Sequence, residues 1–244
     1  MSDIALEIAA LSFAYGKKQV LHDLTFDIKK GECCILLGPN GAGKSTLFAL
    51  ITRLYAHKQG RIKLAGFDIQ KQPLQALAQL GVVFQQTTLD LDLTVQQNLR
   101  YHASLQGMSR KKANLALAEQ LQRLGMYERR DEVVRQLNGG HRRRVEIARA
   151  LMHQPNVLLL DEPTVGLDVP SRMAIVEHVH QLVQDSDIAV LWATHLMDEV
   201  YDSDKIVLIH QGKRQAQGSV ANVVQQAGVE DINAAFLKFT ERKA

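Results

Sequence analysis

Gly38-Pro39-Asn40-Gly41-Ala42-Gly43-Lys44-Ser45-Thr46 fits a phosphate-loop pattern: glycine, four residues, then Gly-Lys-Ser. The run before it, Cys33-Cys34-Ile35-Leu36-Leu37, is continuously apolar and of strand length, which predicts a buried strand. The run after it, Leu47-Phe48-Ala49-Leu50-Ile51, continues as a helix. The stretch therefore sits between strand and helix, the context the pattern requires. Its glycines let the backbone curl with N–H groups turned inward on a phosphate, and the helix N-terminus adds partial positive charge. Lys44 supplies a full charge for the β and γ phosphates, and Ser45 a hydroxyl for Mg²⁺.

A chain of 244 residues suits one large domain, or a domain with an inserted subdomain. Its formal net charge of +3 is small for that length and gives no support to nucleic-acid binding. Cys33 and Cys34 are strand neighbours that point to opposite faces, so they read as two buried thiols without a bridge. The N-terminus does not read as a signal peptide, and no apolar run approaches the ~18–20 residues of a membrane span. The chain is expected to be soluble, with any membrane role reached through a partner.

Outward from the loop, Ile4–Leu11 and Val20–Ile28 carry alternating, β-rich patterns around a turn at Gly16-Lys17-Lys18, which predicts an antiparallel opening. Arg61–Leu64 and Gly81–Phe84 read as strands. From Thr87 the composition turns helical. Asp90–Leu93 reads as a loop, Thr94 caps a helix that Gly107 ends, and Ser109 caps a second. Tyr127–Arg135 is charged and reads as solvated, and a further helix follows from Gly139 to Met152. Strands return at Asn156–Leu160 and Ile188–Ala193. Between them a helix starts at Pro170 with an inward face of Met173, Val176, Val179 and Val183. Lys205–His210 and Arg214–Gln217 read as a hairpin, and two short helices follow Ser219 and Asp231.

Asp161-Glu162 places two carboxylates at the C-terminal end of a strand, where α/β sheets bind ligands. One can hold Mg²⁺; the other can orient and deprotonate an attacking water. With these residues the chain resembles the nucleotide-binding subunit of an ABC transporter over nearly its whole length. Gly38–Thr46 matches that family's Walker A motif and Val157–Glu162 its Walker B. Gln85 matches the Q-loop glutamine, and Leu137-Asn138-Gly139-Gly140-His141 stands where the signature Leu-Ser-Gly-Gly-Gln is usual. Asp168 lies in the D-loop match Gly166-Leu167-Asp168, His195 matches the switch histidine, and Tyr15 matches the aromatic that stacks on adenine.

The resemblance implies an α/β P-loop NTPase fold of the ABC-ATPase type, with a RecA-like core, an N-terminal antiparallel β subdomain and an inserted α-helical subdomain. The domain would span residues 1–240, with the core at about 1–86 and 155–240 and the helical part at about 87–154. It also implies ATP and Mg²⁺ as ligands. Gly38, Pro39, Asn40, Gly41, Ala42, Gly43, Lys44, Ser45 and Thr46 would hold ATP with Tyr15. Ser45, Gln85 and Asp161 would serve Mg²⁺. Glu162 would be the general base, assisted by His195, Gln85 and Lys44. Asn138, Gly139, Gly140 and His141 would act on the ATP of a second subunit, and Asp168 would link the two sites. Asn138 and His141 depart from the usual Ser and Gln, but Asn caps helices well and both glycines are intact. Arg142-Arg143-Arg144 reads as a solvated or dimer-facing helix surface.

The partners implied are a separate integral membrane permease and a second ATPase subunit, identical or related. The location implied is cytoplasmic, peripheral on the inner face of the membrane. The C-terminus, with Ala234-Ala235-Phe236-Leu237, and the Gln85–Gly107 stretch resemble exporter-type ATPases of drug and polysaccharide efflux. An importer ATPase, a soluble ABC ATPase acting on nucleic acid or ribosomes, and a catalytically silent subunit are the other readings. The nucleic-acid reading lacks both a heptad run and a second domain. Nucleic acid is not an expected partner.

Overall fold

The computed structural model describes residues 3–241; Met1 and Ser2, inside the expected domain span, lie outside the described residues. Two sheets organise the chain. The first is antiparallel, in the order β2-β1-β4-β5, from β1 (Ile4–Tyr15), β2 (Lys18–Lys29), β4 (Gln59–Leu64) and the two-residue β5 (Phe67–Asp68). The turn between β1 and β2 falls at Gly16, whose φ of 59° is one glycine adopts without strain.

The second sheet has six strands in the order β10-β9-β3-β8-β7-β6. These are β3 (Cys33–Leu37), β6 (Leu80–Val83), β7 (Val157–Asp161), β8 (Ala189–Thr194), β9 (Lys205–His210) and β10 (Lys213–Ser219). All pair in parallel except β10, which returns antiparallel on β9. The strands next to β3 on either side come from far along the chain, so the loop after β3 lies at a topological switch point.

Strand period decides the core. Ile35, Leu37, Leu158, Leu160, Val190, Trp192, Ile206 and Leu208 pack on one face of the parallel sheet, with the helices. Cys34, Leu36, Val157, Leu159, Leu191 and Val207 pack on the other, with the antiparallel sheet and with Leu47, Phe48, Leu50 and Ile51 of the helix that follows the loop. Successive side chains alternate faces, and a sheet covered on both sides buries every residue of a central strand. All five residues of β3 are accordingly buried. Cys33 and Cys34 fall on opposite faces as expected, both unbridged. Burial, as the main cause, pushes both thiols up.

Helix α1 (Lys44–Ile51) follows the loop and the short α2 (Pro73–Leu77) follows β5. Between β6 and β7 come α3 (Val95–Leu105), α4 (Arg110–Arg123) and α5 (Gly139–Leu151). Thr94 caps α3 in a reciprocal capping box with Gln97, Ser109 caps α4 and Asn138 caps α5. The charged stretch after α4 forms two 3-10 turns, Tyr127–Arg129 and Val134–Gln136, of which Val134 is buried. Helix α6 (Val169–Asp185) has Pro170 in its first turn.

The inward face of α6 includes Val176, Val179 and the partly buried Val183 as expected, but not Met173. Met173 is 41% exposed, whereas Ile175, Val176, Val179 and Leu182 are buried. At about 100° per residue the buried stripe centres between Ile175 and Val179, and Met173 falls more than a third of a turn from that centre. Two closing helices, α7 (Val220–Ala227) and α8 (Ile232–Thr240), are capped by Ser219 and Asp231.

Candidate active site

The strands β3, β8, β7 and β6 are consecutive neighbours. Whatever immediately follows each of their C-terminal ends is therefore delivered to one edge of the sheet. Those residues are the 38–46 loop, His195, Glu162 and Gln85. The loop lines a cleft of about 420 Å³ together with Gln85 and Glu162.

The loop is shaped by close approach and by handedness. Gly41 and Gly43 have φ of 80° and 111°, conformations that side chains resist. A Cβ on Gly38 would stand 2.5 Å from the Ile209 carbonyl oxygen. The Gly212 N–H donates to the Ala42 carbonyl at 2.9 Å, so the turn joining β9 and β10 braces the loop. Gly43 is the N-cap of α1 and offers no side chain to its first turn, whose free N–H groups suit a phosphate.

Lys44 is 5% exposed. Its ammonium donates to the carbonyls of Gly38 at 2.5 Å and Pro39 at 3.4 Å and stands 3.4 Å from Glu162 Oε1. Burial pulls its pKa down; the charge of Glu162 works the other way. Glu162 has a φ of 47°, an uncommon backbone for a residue with a side chain. Its N–H donates to the Ala193 carbonyl at 2.9 Å. Its Oε1 also meets His195 Nδ1 at 3.2 Å, and its Oε2 accepts from Gln85 Nε2 at 3.2 Å. One carboxylate is thus held by three side chains from three other elements.

Asp161 ends β7 beside it. Burial, reinforced by the Glu162 charge and opposed by Lys44 and Arg143, pushes its carboxyl up to about 6. A carboxylate so placed favours an added cation. Asp161, the Ser45 hydroxyl and the Gln85 amide oxygen are hard oxygen donors, the chemistry Mg²⁺ prefers. The Tyr15 hydroxyl lies 3.5 Å from Thr46 Oγ1, and its ring meets Phe13 and Tyr55 edge-on at centroid distances of 5.0 and 5.4 Å.

The remaining site candidates stand apart. Asn138 Oδ1 accepts the His141 N–H at 2.8 Å, capping its own helix. The His141 ring accepts from the Arg129 guanidinium. Burial, with the charges of Arg129 and Arg144 adding to it, lowers the His141 pKa. Gly139 is exposed, but Gly140 is buried; a Cβ there would meet Ser171 Oγ at 2.8 Å. Close packing on α6 therefore requires the second glycine in this chain. Asp168 caps α6 by accepting the Ser171 N–H at 2.8 Å.

Within the arginine run, Arg143 departs from the solvated or dimer-facing surface expected of it. Arg143 is 6% exposed and donates to the Phe84 and Gln85 carbonyls and to Glu146. Arg142 donates to the carbonyls of Val134 and Arg135. A signal was present: Val145, Ile147, Ala148, Ala150 and Leu151 are too many apolar residues for one face of α5. A helix buried nearly all round must pair its charges internally.

Glu199 also escaped the sequence reading. It is buried, and accepts from Trp192 Nε1 at 3.1 Å and from the Thr164 hydroxyl. It ties the segment after His195 to the segment after Glu162. Burial is the main cause that raises its pKa to about 7. The native state then holds its proton more firmly than the unfolded chain. The group's contribution to stability is full below about pH 4.5 and is lost as pH rises through about 7. Glu199→Gln is expected to melt above the wild type at pH 8, by at most about 3 kcal/mol in stability, with no advantage near pH 4.5. Melting curves across that range test it; a pH-independent difference contradicts it.

A family profile described as ABC transporter matches residues 21–165, more than half of the chain, and the chain belongs to that family. It is a nucleotide-binding ATPase chain with the ABC ATPase fold. Among curated relatives, it is 38% identical over 241 residues to the linearmycin resistance ATP-binding protein LnrL of Bacillus subtilis, covering 95% of this chain and 77% of that one. It is 35% identical over 238 residues to the ABC transporter ATP-binding protein NatA of the same organism, covering 96% of each. The Nod factor export ATP-binding protein I of Rhizobium johnstonii is 35% identical over 227 residues, covering 93% of this chain and 73% of that one. Among solved structures, an ATP-binding subunit of an ABC transporter superposes with a TM-score of 0.86 at 27% identity, covering 97% of this chain and all of that one.

Proposed function

We propose that this chain hydrolyses ATP to drive a separate membrane permease in the export direction, working as one of a pair of ATPase subunits. The observation that carries the catalytic part is Glu162, held at once by Lys44, His195 and Gln85 beside a phosphate loop. The domain reading assigns the core to about 1–86 and 155–240 and a helical part to about 87–154. In support, the chain between β6 and β7 holds three α-helices and two 3-10 turns among the described residues. No described helix is long and apolar enough to cross a membrane, which fits a permease on another chain.

In this reading Lys44 and the loop N–H groups bind the β and γ phosphates, and Tyr15 stacks on adenine. Ser45, Asp161 and Gln85 would hold Mg²⁺, which would offset charge on the phosphates. Glu162 takes a proton from water as the water oxygen bonds to the γ-phosphorus. The bond to the ADP oxygen breaks, and the proton returns to the products. His195 orients Glu162. Asn138, Gly139, Gly140 and His141 present a helix N-terminus to the nucleotide of the second subunit, and Asp168 lies at that junction. The working assembly pairs this chain with a second ATPase subunit, identical or related, on the cytoplasmic face of an integral membrane permease. Export is supported by relatives named for linearmycin resistance and Nod factor export. The longest described helix, α6, has 17 residues, too short for the coiled coils of the nucleic-acid class.

The test is to co-purify the chain with a multi-span membrane protein from the same cells and assay ATP hydrolysis and efflux in vesicles. A protein that sediments with ribosomes or DNA and ignores membranes overturns the reading. Tyr15→Ala is expected to raise the KM for ATP by about five- to tenfold, and Tyr15→Phe to leave it nearly unchanged, because the stacking face survives. Steady-state titrations with ATP check both.

A further inference from the structure

Helix α5 carries two features on one rigid rod. Its N-terminus is the Asn138-Gly139-Gly140 segment proposed to face a partner's nucleotide. One turn further on, Arg143 points into the protein. Its Nη1 donates to the Phe84 carbonyl at 2.6 Å and to Glu146 Oε2 at 2.8 Å, and its Nη2 to the Gln85 carbonyl at 2.8 Å. Glu146, 1% exposed, accepts the Thr88 N–H at 2.8 Å. Arg149 donates to the Thr88 carbonyl at 2.9 Å and to its hydroxyl. The backbone from Phe84 to Thr88 is therefore held by three side chains of α5. The Gln85 amide at the start of that segment donates to Glu162.

We infer that Arg143 is a positioning residue that couples the place of α5 to the alignment of Glu162 through Gln85. The inference rests on the function proposed above. A planar guanidinium that grips two successive carbonyls fixes both the distance and the direction of the backbone. Movement of α5 as a partner engages its N-terminus then moves the Gln85 backbone, and with it the hydrogen bond on Glu162 Oε2. The same group biases the site electrostatically, since its charge acts on Asp161. The signature segment and the chain's own catalytic carboxylate are thus joined by an unbroken path of hydrogen bonds and one helix turn. A charge pair serving stability alone needs Glu146, but it does not need the fork on Phe84 and Gln85.

Lysine separates the two roles, because its single ammonium keeps the charge beside Glu146 and loses the fork. Arg143→Lys, Gln85→Ala and the double variant are assayed in the complex with the permease, with rates normalised to folded, nucleotide-binding protein. Arg143→Lys is expected to keep the KM for ATP within about twofold and lower kcat by about tenfold. The double variant is expected to turn over no more slowly than the slower single variant, because both act through one contact. Arg143→Gln with Glu146→Gln removes both charges of this ion pair together, so neither of the two is left without the other; it is expected to show the same kcat loss. A wild-type kcat in Arg143→Lys, or losses that multiply in the double variant, overturns the inference. Wild-type complex that fails to hydrolyse ATP overturns the functional reading instead.

Discussion

Glu162→Gln is expected to bind ATP as the wild type does and to turn it over at least about a hundredfold more slowly, the scale of a lost general base. Glutamine has nearly the same shape as glutamate and adopts the same backbone, so the φ of 47° is no worse tolerated. Its amide can still accept from Lys44 or His195, but it cannot take a proton from water. Because binding survives and turnover does not, the ATP-loaded pair of subunits is expected to persist. Gel filtration with ATP and Mg²⁺ should show a dimer that the wild type loses as it hydrolyses. Turnover within about tenfold of the wild type would remove Glu162 from the role of base.

Lys44→Ala is expected to weaken ATP binding by about ten- to a hundredfold, since charge-assisted hydrogen bonds are worth about 1.5–3 kcal/mol. In the structure its ammonium is occupied by Gly38, Pro39 and Glu162. Phosphate oxygens would compete for the same donors, so ATP is expected to loosen Lys44 from Glu162. Without the ammonium, Asp161 and Glu162 lose a neighbouring positive charge, and the cleft repels anions. A thermal-shift titration checks this: ATP raises the melting temperature of the wild type and leaves that of the variant unchanged. An equal shift in both contradicts the assignment.

The strands, the caps and the loop were legible because their signals are local. An apolar run before Gly38, Thr94 three residues before Gln97, and Asn138 before two glycines each act over one turn or one strand. On α6 only Met173 was misplaced, because an apolar side chain at the edge of a helix face carries no mark of which side meets the sheet. Arg143 was misjudged for a related reason. A triplet of arginines looks solvated until it is known that Phe84 and Gln85, 59 and 58 residues earlier, present two carbonyls to the middle one. Glu199 had no local sign at all, since its partners Thr164 and Trp192 are reached only through the fold.

What the amino-acid sequence determined alone is which chemistry is present: a glycine loop with its lysine, two carboxylates at a strand end, a capped helix start. Such features are set by backbone preference and side-chain type within a few residues. What the tertiary structure decided is that they meet. Gln85 lies 77 residues from Glu162, and His195 lies 33 from it. They share one carboxylate because β6, β7, β8 and β3 stand side by side in parallel, an order set by burying both faces of one sheet.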